Sequence, residues 1–244
     1  MRAYELIKET FLRKAYIRLV HISWIAIYGL LFLVSFPPDT WNWGGFLFGW
    51  SGCMLALLIS AGIIGDDIAS GRICVLIIKP LWPGELYIYR LVGLSLQALI
   101  NILISGVIIF TLHSVTGHGS IDHLGLWMLS AWLIFNTFAA LLTSISVVIR
   151  RGQNSMLLFA AIIFVYVISS LLISIFPKHP ATDAFMGFLR YACPPVELLC
   201  NVAIGKYSVI KSLGCVMHSF LLTAVYAAAG IIILCKRQFV FVRD

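Results

Sequence analysis

Charge is what this sequence has least of. Asp, Glu, Lys and Arg make up 11% of its 244 residues, less than half of the roughly 25% usual in a soluble domain, and a mean hydropathy of +1.01 goes with that scarcity. So few charges cannot clothe the surface of a water-soluble fold, which excludes that class at the outset. Also missing are the motifs that hold a triphosphate or a dinucleotide or build a hydrolase: there is no G-x-x-x-x-G-K-[ST], no glycine fingerprint, no HExxH and no G-x-S-x-G. The chain is therefore expected to have no catalytic residues and to bind no cofactor itself; any ATP, with its Mg, would be handled by a separate subunit. Cysteine is present six times but without a CxxC pair, so no metal site is expected from it. Cys193 and Cys200 fall in one connection, which leaves a disulfide between them open.

What is abundant is apolar sequence, and the few charges divide it. The charge-free runs are Leu19 to Pro38, Thr40 to Gly65, Leu91 to Ile121, Leu124 to Ile149, Gly152 to Pro177 and Ser212 to Cys235. A charge at the centre of a membrane helix costs roughly 2.5 to 3.5 kcal/mol on the insertion scale. Each uncharged run is long enough to cross about 30 Å of hydrocarbon at about 1.5 Å per residue. The expected fold is thus an all-α integral membrane domain over residues 1–244, with six transmembrane helices at about 17–36, 44–64, 90–112, 124–149, 154–176 and 211–235.

Orientation follows from the basic residues. Arg2, Lys8, Arg13, Lys14, Arg18, Arg72, Lys79, Arg90, Arg150, Arg151, Lys236, Arg237 and Arg243 flank one side, against Lys178, Arg190, Lys206 and Lys211 on the other. Excess Lys and Arg mark the cytosolic side, so both termini are expected there. The net charge of +7 is accordingly a topology signal and an attraction to anionic lipids, and no nucleic-acid partner is expected from it. No cleavable signal peptide is expected, because the first apolar run follows a charged segment and is long enough to span.

Ahead of the first run, Tyr4, Ile7, Phe11 and Leu12 recur at helical spacing opposite Glu5, Lys8, Glu9 and Arg13. That pattern fits an amphipathic helix lying among the headgroups, or else a solvated extension of span one. Trp41 and Trp43 suit the aromatic belt of the interface, and Gly45, Gly49 and Gly52 allow close helix contact in span two. A cytosolic segment follows at 65–89. It holds Asp66, Asp67, Ser70, Gly71 and Arg72, an apolar run Ile73 to Ile78 with Ile77 within it, then Lys79 and Pro80. A short helix apolar on all faces belongs in the interface or in a partner's groove. Pro83-Gly84-Glu85 then reads as a helix start.

On the other side, the connection at 178–210 carries the apolar stretches Ala184 to Ala192 and Val196 to Ile204, separated by Cys193-Pro194-Pro195. Proline ends one helix and can begin the next, so two short helices dipping toward the outer leaflet are expected, with Pro194, Pro195 and Glu197 at an outer gate. His113, His118 and His123 recur every five residues beside Asp122, a spacing that does not share one helix face, and they are read as hydrated loop residues. Asp66 and Asp67 lack further acidic ligands at ligating spacing, so no metal site is expected there either.

No Asp, Glu, Lys or Arg lies mid-span, which disfavours an ion-coupled carrier. The polar residues inside are neutral: Gln97, Asn101 and Ser105 on span three, Asn136, Thr137, Thr143 and Ser144 on span four, and Tyr166, Ser169, Ser170 and Ser174 on span five. Two readings stay open for them. They join helices by hydrogen bonds, or some, with Gln97, Asn101, Ser105, Asn136, Thr137, Tyr166, Ser169 and Ser170 foremost, line an uncharged path suited to lipid-like or peptide cargo.

Six spans, an amphipathic leading helix, short outer helices and the pattern Asp67, Ser70, Gly71, Ile73 to Ile78, Pro80 and Arg90 resemble the permease subunits of ABC exporters of type 2, with the type V exporter fold. The resemblance implies a multi-pass protein of a bacterial cytoplasmic membrane. It also implies pairing with a second copy or a related permease, and two separate ABC ATPase subunits docked at Asp66 to Pro80. ATP-driven closure would then push that segment and open a path outward past Ala184 to Ile204. The alternatives are a non-transporting membrane scaffold or anchor of a larger complex, and a secondary carrier.

Overall fold

Seven helices make up the described residues of the computed structural model, which are 3–13, 41–60, 62–72, 82–116, 123–148 and 193–236 with a few isolated positions between. They are α1 (Ala3–Arg13), α2 (Trp41–Ser60), α3 (Ile63–Ala69), α4 (Pro83–Thr116), α5 (Leu124–Ser146), α6 (Val196–Ala203) and α7 (Val209–Lys236). Spans one and five, the run Ile73 to Ile78 and most of the stretch Ala184 to Ala192 lie outside the described residues. Four stretches are long and apolar enough to cross a membrane: Phe48–Ala69, Pro83–Thr111, Leu124–Ser146 and Val209–Lys236.

The local causes of these elements are visible in the chain. Proline cannot donate a backbone hydrogen bond and costs nothing at a first turn, and α4 begins at Pro83 with Glu85 beside the positive end of its dipole. The backbone N–H of Glu85 donates to the Trp82 carbonyl at 2.9 Å. Gly62, at φ 73°, takes the left-handed conformation that glycine alone adopts without cost, and so separates α2 from α3. α3 ends the same way: the N–H of Gly71, at φ 67°, donates to Ile68 O at 3.1 Å just past the last turn.

α5 is the hub, packed against α2, α3, α4, α6 and α7. Glycine sets the closest approach. A Cβ on Gly52 would run into the Ala131 carbonyl oxygen, and one on Gly49 would meet Cys200 Sγ at 2.7 Å. Without a hydrophobic drive between helices in lipid, small residues of this kind let backbones approach and gain dispersion energy. α4 runs against α5 in the opposite sense, since Tyr87 Oη donates to Ala140 O at 3.1 Å while Trp132 Nε1 donates to Ser95 O at 3.4 Å. α1 lies across the start of α4, where a Cβ on Gly93 would meet Thr10 Cβ at 2.7 Å.

Three expectations change. Arg90 does not mark a water boundary ahead of span three: α4 starts at Pro83, as Pro83-Gly84-Glu85 predicts, and Arg90 is paired inside the protein. Helix also persists past Gly65 to Ala69, so Asp66 and Asp67 are helical rather than in a connecting stretch. Third, the inward face of α1 is Leu6 and Thr10, both buried, with Glu9 and Arg13 turned the same way, whereas Tyr4 and Leu12 are exposed. Ion pairing to α3 and α4 outweighs the separation of apolar from charged positions that the sequence pattern suggests.

Candidate functional site: an ion-paired elbow

Arg90 on α4 is wholly buried, and so is Asp67 on α3 at 1% exposure. A guanidinium or carboxylate buried alone costs several kcal/mol, which only good pairing offsets. Arg90 Nη2 donates to Asp67 Oδ2 at 2.7 Å, and Nη1 donates to Thr10 Oγ1 at 2.8 Å and to Glu9 Oε1 at 3.3 Å. The second oxygen of Asp67 accepts from Arg13 Nη1 at 2.8 Å. Arg13 also approaches Asp66 at 3.9 Å, and Arg72 reaches Glu9 at 2.9 Å. Three arginines thus face three carboxylates, and α1, α3 and α4 are held at one elbow. The helices supply the reach: Glu9 and Arg13 stand one turn apart on α1, and Thr10 back-bonds to Leu6 O at 2.7 Å, which fixes its hydroxyl toward Arg90.

The elbow grades from buried to exposed along the chain. Asp67 is interior and Asp66 partly covered, while Ser70, Gly71 and Arg72 are exposed, with the Ser70 hydroxyl donating back to Asp66 O at 2.6 Å. A Cβ on Gly71 would meet no described residue within 4 Å. Ile77, Lys79 and Pro80 lie outside the described residues. The expected docking residues therefore divide into a buried clamp, Asp67, and an accessible rim. Glu9, Thr10 and Arg13 were missing from the candidate residues, and Arg90 stood only in the family pattern; the signal that could have found Glu9, Arg13 and Arg90 is their rarity, since these are among the few charges near an apolar run.

The neutral polar residues of the spans lie inside the bundle. Gln97, Asn101, Ser105 and Thr137 have no exposed surface. Thr137 Oγ1 is 2.8 Å from Ser219 Oγ and 3.3 Å from Thr223 Oγ1, which ties α5 to α7. Ser105 donates to Asn101 O at 2.7 Å, Thr143 to Ala139 O, and Ser144 to Leu141 O at 2.7 Å. Asn136, half-buried, donates to Trp132 O at 2.9 Å. The side-chain amide of Asn101, by contrast, meets no partner among the described residues at either its oxygen or its nitrogen. Tyr166, Ser169 and Ser170 fall outside the described residues.

At the opposite end, α6 begins after Pro195, with Leu199 N–H donating to Pro195 O at 3.0 Å. Pro195 is buried, Pro194 half-buried and Glu197 exposed. Cys193 and Cys200 are not bonded to each other in the structure, and Cys200 Sγ packs into the α2 contact at Gly49. Burial pushes the Cys193 thiol above its usual range. Among the described residues no group of His, Cys, Asp and Glu could hold a metal ion; of the three histidines read as loop residues, His113 lies in the last turns of α4, and His123, just ahead of α5, lies under Gly205.

A family model described as ABC-2 family transporter protein matches residues 14–235. No curated protein matches the chain.

Proposed function

The chain belongs to the ABC-2 family of transporter proteins and is a transmembrane permease of an ABC transporter, and on that premise we propose that it exports an amphipathic cargo, lipid-like or peptide, under the drive of two separate ABC ATPase subunits. Those subunits would bind the ATP and Mg, and this chain, having no triphosphate motif, would supply no hydrolytic site. A second copy or a related permease completes the path. The proposed topology has six spans with both termini in the cytosol of a bacterial inner membrane and residues 1–244 as one permease domain.

The elbow carries this reading. An ATPase docking at Ser70, Gly71 and Arg72, continued through Ile77, Lys79 and Pro80, would press on a rim whose next residues inward are ion-paired to α1 and α4. A push there moves α3, α4 and α1 together, because slipping one past the others would strand a buried charge. The uncharged span interiors support an amphipathic cargo, and Asn101, whose amide meets no partner among the described residues, is the best candidate on α4 to face the path when helices part. Pro194, Pro195 and Glu197 then serve the outer gate.

Copurification tests the reading. The tagged chain, solubilised from its native membrane, should bring an ABC ATPase with it, and Mg-dependent ATP hydrolysis in the complex should depend on this chain. A preparation free of any ATPase, with no hydrolysis that depends on the chain, would sink it in favour of a scaffold or a carrier.

A further inference from the structure

α6 does not lie flat at the end of the bundle. Just past its C-terminal end, Gly205 sits at the His123 ring, which precedes the first residue of α5. One turn before that end, Cys200 Sγ packs where Gly49 of α2 and Ile134 of α5 meet. Phe48 against Trp127 and Gly52 against Ala131 place Gly49 about one turn into α5, in keeping with the five residues from Gly205 to Cys200, about 7.5 Å at about 1.5 Å per residue. Glu197, three residues further from Gly205, is about 12 Å from the His123 level on the same rise. α6 therefore points its N-terminal end inward within the outer half of the bundle.

Glu197 is in the first turn of this helix, deeper than Cys200. Val196, Leu199, Cys200 and Ala203 form the buried face against α2, α5 and α7. Glu197 points elsewhere and is exposed, with no ion pair or hydrogen bond among the described residues. Its charge still acts on Cys200. An acidic side chain facing acyl chains is costly, up to roughly 2.5 to 3.5 kcal/mol at the membrane centre, whereas the helix dipole returns about 0.3 to 1 kcal/mol. Exposure at this depth is sustainable only in water or beside a countercharge.

We propose that Glu197 faces the aqueous translocation path in its outer half and makes that stretch selective for a cationic group of the cargo, a protonated amine or a guanidinium. The assignment rests on the permease reading for the existence of a path. The field of one carboxylate in a narrow, weakly screened channel is enough to favour one charge sign by about tenfold.

Thiol accessibility in liposomes tests it, with the full-length chain, its native cysteines replaced by serine, and charged methanethiosulfonate reagents supplied on both faces. Glu197→Cys should react with both the cationic and the anionic reagent. Asn201→Cys, one turn along, should react with the cationic reagent about tenfold faster, relative to free cysteine, and adding Glu197→Gln should abolish that preference. Labelling of Glu197→Cys only by an uncharged lipid-phase maleimide would overturn the proposal, as would an unchanged charge preference in Asn201→Cys with Glu197→Gln. Loss of ATPase copurification with these accessibilities intact would instead count against the exporter reading alone.

Discussion

Arg90 Nη2 and Asp67 Oδ2 are 2.7 Å apart with neither side chain exposed beyond 1%, and Asp67 is at the same time held by Arg13 at 2.8 Å. Asp66, the preceding residue, is partly exposed and reaches Arg13 only at 3.9 Å. Two neighbouring aspartates of like chemistry therefore have different tasks. Replacing Asp67 with Asn leaves Arg90 buried with its main countercharge gone, and should destabilise the chain by about 3 to 5 kcal/mol. Asp66→Asn should cost less than about 1 kcal/mol, as an exposed pair does. Thermal aggregation followed by size-exclusion in detergent should rank them in that order; equal losses would refute the clamp.

How far the sequence was legible follows from the same pair. The charge-free runs locate apolar helices well, because a lone charge in lipid is expensive, and α5 and α7 sit where Leu124 to Ile149 and Ser212 to Cys235 point. The prolines at 83 and 195 mark the starts of α4 and α6. Arg90 misleads because its partners are distant in the chain: Asp67 lies on another helix and Glu9 on a third. A rule that prices each charge alone cannot see a pair, so it starts the span, though not the helix, at Arg90 and leaves the clamp as loop chemistry. The face of α1 is misread for the same reason. Polar stripes such as Gln97, Asn101 and Ser105 are legible as a face, but whether that face meets a helix or a path is a packing outcome.

Glycines on the helices separate packing from propensity. Gly52→Ala would drive a methyl into the backbone oxygen of Ala131, which cannot swing aside, so α2 and α5 must part at a cost of about 1 to 3 kcal/mol. Gly125→Ala and Gly214→Ala meet nothing within 4 Å and should be neutral or stabilising by up to about 1 kcal/mol, the helix preference of alanine. Detergent melting midpoints of the three variants check this; a Gly52→Ala protein as stable as the parent would exclude the close crossing.

Cys193 offers a pH test outside the spanning helices. Burial raises its pKa, so a smaller fraction is thiolate at neutral pH than for an ordinary cysteine, and the thiolate is the reacting form. With the other cysteines replaced by serine, alkylation of Cys193 should be slower than that of a model thiol at pH 7. It should keep accelerating at pH values where the model thiol has levelled off. Restoring Cys200 and adding copper phenanthroline should produce no intramolecular disulfide, because Cys200 Sγ is packed at Gly49.

Gly71 distinguishes the shape of the docking rim from its bulk. Its φ of 67° is reached by non-glycine residues at a cost of about 1 to 2 kcal/mol, less for Asn, and no described residue stands within 4 Å of an added Cβ. Gly71→Val should thus disturb only the turn beyond α3, leaving membrane insertion and the buried Asp67 clamp in place. If that turn presents the segment toward Pro80 to an ATPase, Gly71→Val should lower ATPase copurification several-fold while Gly71→Asn retains most of it. Equal ATPase recovery from both variants, at equal amounts of folded chain, would mean that the turn geometry plays no part in docking.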